Sequence, residues 1–234
     1  MEITTDGRFI ITGAAGGIAG AVIESFAEAG ARLALVDLEL GAVRERASGR
    51  DAVAIACDLT DSDAVAEMVR EAQQKLGGVD GLIHTTGGFR MAPAHEGGVE
   101  LYEKLFDLNV RTLVLTASAV LPLFLEQERG FLAAFSAAPG WQRSGGAGMS
   151  VYAAAKAAVA SYLHAVQAET GDDGVQTAVV YPMGVVDTPG NRSSMPDADR
   201  SGWIDPQQIA RALLFAASAG PRGQVHELAI FPDR

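Results

Sequence analysis

Cysteine is nearly absent from this chain: Cys57 is the only one in 234 residues. A single thiol forms no internal disulfide and no cysteine-based metal cluster, so no metal site is expected. Its apolar neighbours make it a buried structural residue. Basic residues are also scarce, with 18 Lys and Arg against 29 Asp and Glu. A net charge of -11 leaves no basic face for a phosphate backbone, so nucleic acid is not an expected partner. No uninterrupted apolar run approaches the roughly 18 residues of a membrane span. The acidic start Met1-Glu2-Ile3-Thr4-Thr5-Asp6 lacks the apolar stretch of a secretion signal. These absences lead to the expectation of a cytoplasmic protein without membrane contact. Repeats, low-complexity runs and linkers are missing too, so 1–234 reads as one domain.

What is present is a regular alternation. Short apolar or β-branched runs at 8–12, 32–36, 52–57, 81–84, 131–135, 175–181 and 225–230 read as strands. Between them, Ala-rich helical stretches are expected at 17–29, 40–47, 61–76, 99–107 running on to 126, 150–170 and 206–219. Asp61-Ser62-Asp63 and Asp205-Pro206 mark helix starts, and Gly30, Gly77 and Gly171 mark ends. Strands alternating with crossover helices imply an α/β, doubly wound Rossmann-type fold. About seven mainly parallel strands would carry helices on both faces. The segment around 187–203, rich in Pro, Ser, Asp and Arg, is expected as an irregular substrate lid.

The first strand leads into Gly13-Ala14-Ala15-Gly16-Gly17-Ile18-Ala19-Gly20 and then a helix. Glycines in that setting let the backbone turn sharply and approach a pyrophosphate held on helix N-terminal amides. Gly13, Gly17 and Ile18 are the candidate contacts. The second strand ends in Asp37, whose carboxylate can accept both ribose hydroxyls of NAD and would repel the 2′-phosphate of NADP. NAD is therefore the expected cofactor over NADP. Asp58 and Leu59 are further candidate cofactor contacts, Asp58 either bonding the adenine amino group or capping the helix that follows.

Farther along, Tyr152 and Lys156 stand four residues apart on an expected helix, which puts phenol and ammonium on one face. An unperturbed Tyr, with a pKa of about 10, trades protons poorly near neutrality. A neighbouring cation favours the phenolate, so the expectation is a lowered tyrosine pKa.

These motifs resemble the short-chain dehydrogenase/reductase family over essentially the whole chain. Thr12-Gly13-x-x-x-Gly17-Ile18-Ala19 is similar to its glycine turn, with Ala19 in place of the last glycine, and Tyr152 and Lys156 match its Tyr-x-x-x-Lys pair. Asn109, in Phe106-Asp107-Leu108-Asn109-Val110, resembles its helix-borne asparagine. The resemblance implies hydride transfer with a nicotinamide cofactor. Tyr152 would be the acid or base, Lys156 would hold ribose hydroxyls, and Asn109 would place a water. It also implies cofactor contacts from Gly87, Pro182, Val185 and Thr188, the last to the carboxamide.

Two departures stand out. His84-Thr85-Thr86-Gly87 replaces the usual Asn-Asn-Ala-Gly, and a packed, hydrogen-bonded His84 is expected. The catalytic serine position falls on Ala137, leaving Ser136, one residue earlier, as the candidate substrate hydroxyl. The 187–203 loop and Gly87-Gly88-Phe89 resemble dihydropteridine reductase, where alanine likewise fills the serine position.

Phe89, Trp141, Met183 and Trp203 are expected to line an apolar substrate pocket, with Met91 and Met149 nearby. Arg90, Arg143 and Arg192 either reach a substrate carboxylate or lie on the surface and lid. The leading expectation is an oxidoreductase acting on a small carbonyl, alcohol or imine-like compound, cyclic or aromatic. Alternatives are a quinonoid dihydropteridine reductase, a 3-oxoacyl thioester reductase and, outside enzymes, an NAD-binding redox-sensing or scaffold protein. The resemblance further implies a homodimer or homotetramer through helices 109–126 and 151–170.

Overall fold

A computed structural model describes residues 7–142, 145–220 and 222–233. Met1–Asp6 and Arg143 lie outside the described residues. Seven strands form one parallel sheet: β1 (Arg8–Thr12), β2 (Arg32–Asp37), β3 (Ala52–Ala56), β4 (Gly81–His84), β5 (Gly130–Phe135), β6 (Val175–Pro182) and β7 (Glu227–Ile230). Their order is β3-β2-β1-β4-β5-β6-β7. The direction of crossover reverses between β1 and β4, which opens the crevice where such sheets hold ligands.

The helices are α1 (Gly17–Glu28), α2 (Leu40–Ala47), α3 (Ser62–Leu76), α4 (Gly98–Phe106), α5 (Thr112–Glu126), α6 (Ala138–Gln142), α7 (Ser150–Thr170), α8 (Pro189–Ser194) and α9 (Pro206–Ser218). One face of the sheet is covered by α3, α5 and α7 through Val65, Met68, Leu113, Val120, Val159 and Leu163. The other is covered by α1 and α9 through Val22, Phe26, Ile209 and Leu213. Strands buried on both faces read as continuous apolar runs, and every residue of β5 is buried.

Several boundaries differ from the sequence reading. Two short helices were not expected, α6 and α8. The 187–203 segment is therefore not wholly irregular: it carries α8, capped by Thr188 and Pro189, and its root is tied by a bridge between Val186 and Ile204. The α7 boundary agrees with the expected end before Gly171, and the chain then adds a 3-10 turn, Gly171–Asp173, stopped by Gly174 at φ 84°. Between α4 and α5 the chain widens into a π-helical turn, Asp107–Arg111.

Helix 98–126 is, by length and composition, long and apolar enough to cross a membrane. Its first half is broken by Glu100, Glu103, Lys104, Asp107 and Arg111, so it holds no uninterrupted apolar run of that length. Leu113, Ala117, Val120 and Phe124 bury its inner face in the core instead.

At the opposite edge from the crevice, Asp80 is buried and holds three strand starts together. Its Oδ2 accepts from the Arg8 backbone N–H at 3.0 Å and from Arg8 Nε at 2.7 Å. Its Oδ1 accepts from Arg8 Nη2 at 2.9 Å and from Arg129 Nη2 at 2.5 Å. Burial alone would raise this carboxyl, but the Arg8 hydrogen bonds and the charges of Arg8 and Arg129 hold it below the usual range.

Candidate active site

The carboxyl ends of the strands bring the chemistry together. After β1 the backbone turns at Gly13 with φ 67°, and the Gly16 N–H closes the turn on the Gly13 carbonyl at 2.9 Å. A Cβ at Gly13 would lie 2.8 Å from the Thr86 nitrogen. A Cβ at Gly17 would meet Thr188 Cβ at 2.6 Å. Both positions therefore require glycine on steric grounds. Thr188 is buried and caps α8 through Asn191 N–H at 3.3 Å. Ile18, at the start of α1, packs against the core on the α1 side of the sheet.

Asp37 closes β2, where its Oδ2 accepts the Ala15 N–H at 3.0 Å and its Oδ1 accepts the Leu38 N–H at 2.8 Å. The acid is thus fixed against the glycine turn. Asp58 engages Thr60 through Oδ1, from N–H at 2.9 Å and hydroxyl at 2.7 Å. Those bonds hold its carboxyl below the ordinary range. It forms a local turn ahead of α3, while Leu59 is buried in the core. Pro182 ends β6 beside Ile230, and the Val185 carbonyl accepts the Ile204 N–H at 2.8 Å.

Lys156, nearly two turns into α7, is buried, and its Nζ donates to the Phe135 carbonyl at 2.8 Å. Burial pushes its pKa down to about 8. The same ammonium lies 5.9 Å from the Tyr152 ring centroid. Burial pushes the Tyr152 phenol up to about 12. This overturns the expected lowering: desolvation dominates at Tyr152, and the lysine's hydrogen bond goes to Phe135.

Asn109 sits in the π turn, fully buried. Its Nδ2 donates to the Gly88 carbonyl at 3.1 Å and the Leu105 carbonyl at 2.8 Å, and its Oδ1 accepts the Gly88 N–H at 3.1 Å. A Cβ at Gly87 would be 2.8 Å from Asn109 Oδ1 and 3.2 Å from Lys156 Nζ. Asn109, Gly87 and Lys156 therefore converge on one point.

Ser136 does not join them. It is buried, and its Oγ donates to the Lys156 carbonyl at 2.8 Å, beside Gly140. β5 ends at Phe135, and the next side chain turns toward α7 rather than into the crevice. The expectation of a substrate hydroxyl here is corrected: Ser136 pins α7 to the strand end. Ser136→Ala is expected to reduce stability by about 1 kcal/mol while leaving turnover per folded molecule nearly unchanged. Urea unfolding read beside active-site-normalised rates checks this.

The aromatic residues divide. Phe89, half exposed, sets its ring edge-on to Tyr152 at 4.8 Å. Trp141, 41% exposed, meets Tyr181 at 4.9 Å. Met183 is partly buried and packs against the core just past the end of β6. Trp203 lies under Arg200 at the lid root, 5.8 Å from guanidinium to ring. Arg192 is held by Asp187 in a two-pronged pair at 2.6 and 2.8 Å, while Arg90 is exposed. Met91 Cε would lie 3.4 Å from a Cβ on Gly148, just ahead of Met149 and α7.

One feature escaped the sequence reading. The Thr86 hydroxyl is buried with no hydrogen-bond partner, next to the glycine turn. Its only signal was a second threonine where alanine is usual. An unmatched buried hydroxyl, a fixed strand-end acid and three glycines that leave no room for a side chain fit a nicotinamide dinucleotide.

A family profile described as short chain dehydrogenase matches residues 8–199. An uncharacterized oxidoreductase of Staphylococcus aureus is 30% identical over 235 residues, covering 99% of this chain and 100% of the relative. Another, from Staphylococcus saprophyticus, is 28% identical over 229 residues, covering 95% and 96%. Among solved structures, 7 alpha-hydroxysteroid dehydrogenase complexed with NADH and 7-oxo glycochenodeoxycholic acid has a TM-score of 0.85 at 24% identity. That match covers 98% of this chain and 95% of the other. A 3-ketoacyl-(acyl-carrier-protein) reductase from Brucella melitensis complexed with NADH has a TM-score of 0.85 at 23% identity, covering 96% of each. At these identities the structural likeness is one of fold.

Proposed function

The chain belongs to the short-chain dehydrogenase family and is an NAD(P)-dependent oxidoreductase, and from that premise we propose that it reduces a small cyclic or aromatic carbonyl or imine-like compound with NADH. The observation that carries this reading is the convergence of Tyr152, Lys156 and Asn109 beside a crevice whose aromatic wall is Phe89. The cofactor supplies the hydride. Tyr152 Oη, protonated at neutral pH, gives a proton to the substrate oxygen or nitrogen. The Lys156 ammonium holds ribose hydroxyls and offsets charge on the phenol as it gives up its proton. Asn109 braces the Gly87-Gly88 backbone at the edge of the same space.

The preference for NAD rests on Asp37. A carboxylate fixed by Ala15 and Leu38 presents negative charge where a 2′-phosphate would lie. NADH is expected to bind at least about tenfold more tightly than NADPH, and Asp37→Ser to remove most of that difference. Titration of protein fluorescence with each cofactor measures both. Equal affinities in the unaltered protein would contradict the assignment.

A quinonoid dihydropteridine is the second reading, supported by a crevice in which Ala137 takes the serine position and Ser136 faces α7. Such a substrate would draw less on a serine hydroxyl than a 3-oxoacyl thioester would. NADH turnover with quinonoid dihydrobiopterin, an acetoacetyl thioester and a panel of aromatic ketones separates the three. Tight NADH binding with no turnover on any of them would favour a redox-sensing or scaffold role. Self-association through α5 and α7 is part of the proposal. Leu115, Ala119 and Leu123 are only partly buried, and Leu125 is exposed.

A further inference from the structure

Thr12, His84, Thr112 and Thr116 make a polar cluster inside the core, none more than 2% exposed. Such a cluster persists only when its hydrogens and lone pairs are matched. Thr112 Oγ1 donates to the Leu108 carbonyl at 2.9 Å, so toward His84 Nε2, 3.2 Å away, it accepts. Nε2 therefore carries the imidazole hydrogen, and Nδ1 is an acceptor. Thr12 Oγ1, 2.9 Å from Nδ1, donates there; among the described residues that hydroxyl has no other acceptor. Thr116 Oγ1 is 3.2 Å from the same nitrogen but has main-chain acceptors in Thr112 at 2.8 Å and Leu113 at 3.1 Å. The opposite tautomer would strand the Thr12 proton and draw the Thr112 hydroxyl off Leu108.

The two ends of this relay are functional ground. Thr12 adjoins Gly13 at the nucleotide turn, and both of their carbonyls accept from the Thr85 hydroxyl. Leu108 lies in the π turn beside Asn109. We propose that His84 is a positioning residue: its neutral imidazole, with the hydrogen on Nε2, ties the nucleotide turn to the π turn and so holds Asn109 in register with Gly88. The consequence for cofactor binding rests on the oxidoreductase reading; the relay itself does not.

The test uses the full-length protein labelled with nitrogen-15. Long-range imidazole spectra near neutral pH are expected to show the Nε2–H neutral pattern for His84, identified among the four histidines by its loss in His84→Gln. A Nδ1–H or imidazolium pattern overturns the proposal. Thr112→Val cuts the relay while keeping side-chain volume. It is expected to move the Gly88 amide resonance, which reports the Asn109 clamp, and to weaken NADH about tenfold, the scale of one lost hydrogen bond. Thr116→Val should leave both unchanged. An unmoved Gly88 amide in Thr112→Val, or an equal movement in Thr116→Val, refutes the relay. If the unaltered protein binds no NADH, the cofactor reading fails, and the imidazole and Gly88 signals still decide the relay.

Discussion

Replacing Tyr152 with Phe is expected to lower hydride transfer by about a hundred- to ten-thousandfold, the range of general acid catalysis, while NADH binding persists. The ring and its edge-on contact with Phe89 survive the change; only the proton at Oη is lost. Stopped-flow oxidation of bound NADH, beside equilibrium titration of the cofactor, separates these effects. Unimpaired transfer would dismiss the acid role. The pH dependence has a definite sign. With the phenol pushed up to about 12 and Lys156 pushed down to about 8, the free protein at neutral pH holds both protons. Reduction should therefore stay level below about 8 and fall above it, as the buried ammonium discharges. Lys156→Met should remove that limb along with most of the rate.

Asp80→Asn should reduce stability by about 3–5 kcal/mol, the usual result of removing one partner from a buried ion pair. Arg8 and Arg129 would be left facing an uncharged amide at the starts of β1 and β5. The sign with pH follows from the lowered carboxyl. Its contribution is present above the unfolded value of about 3.9 and is lost as pH falls through the folded one. The gap between the two proteins in urea unfolding should be widest near neutrality and narrow in acid. A variant as stable as the parent would show the cluster to be neutral in effect. The catalytic edge is at the other end of the strands, so turnover of folded molecules should hardly change.

The positions and parallel direction of the seven strands were legible because fully buried parallel strands write themselves as apolar runs between helical ones, whereas the order β3-β2-β1-β4-β5-β6-β7 is set by long-range packing that no local pattern records. The glycine turn and Asp37 were legible because steric need restricts the residue type. The short helices were not: Pro139 and Gly140 within α6, and Pro189 and Gly190 within α8, are poor helix formers, and capping decided α8. Ser136 was ambiguous because alternation says which way a side chain turns only while the strand lasts. The tyrosine shift went the wrong way because spacing reveals a nearby cation but not how deeply both groups are buried.

The π turn at Asp107–Arg111 amounts to one residue more than an α-helix would need over that span. Deleting a single residue there would let helix 98–126 run straight, but it would rotate everything before the deletion by about 100° against everything after. Asn109 could then no longer face Gly88 while Leu113, Val120 and Phe124 still faced the sheet. The extra residue thus works as a mechanical phase shifter, letting one helix serve a cleft along one stretch and a core along the next.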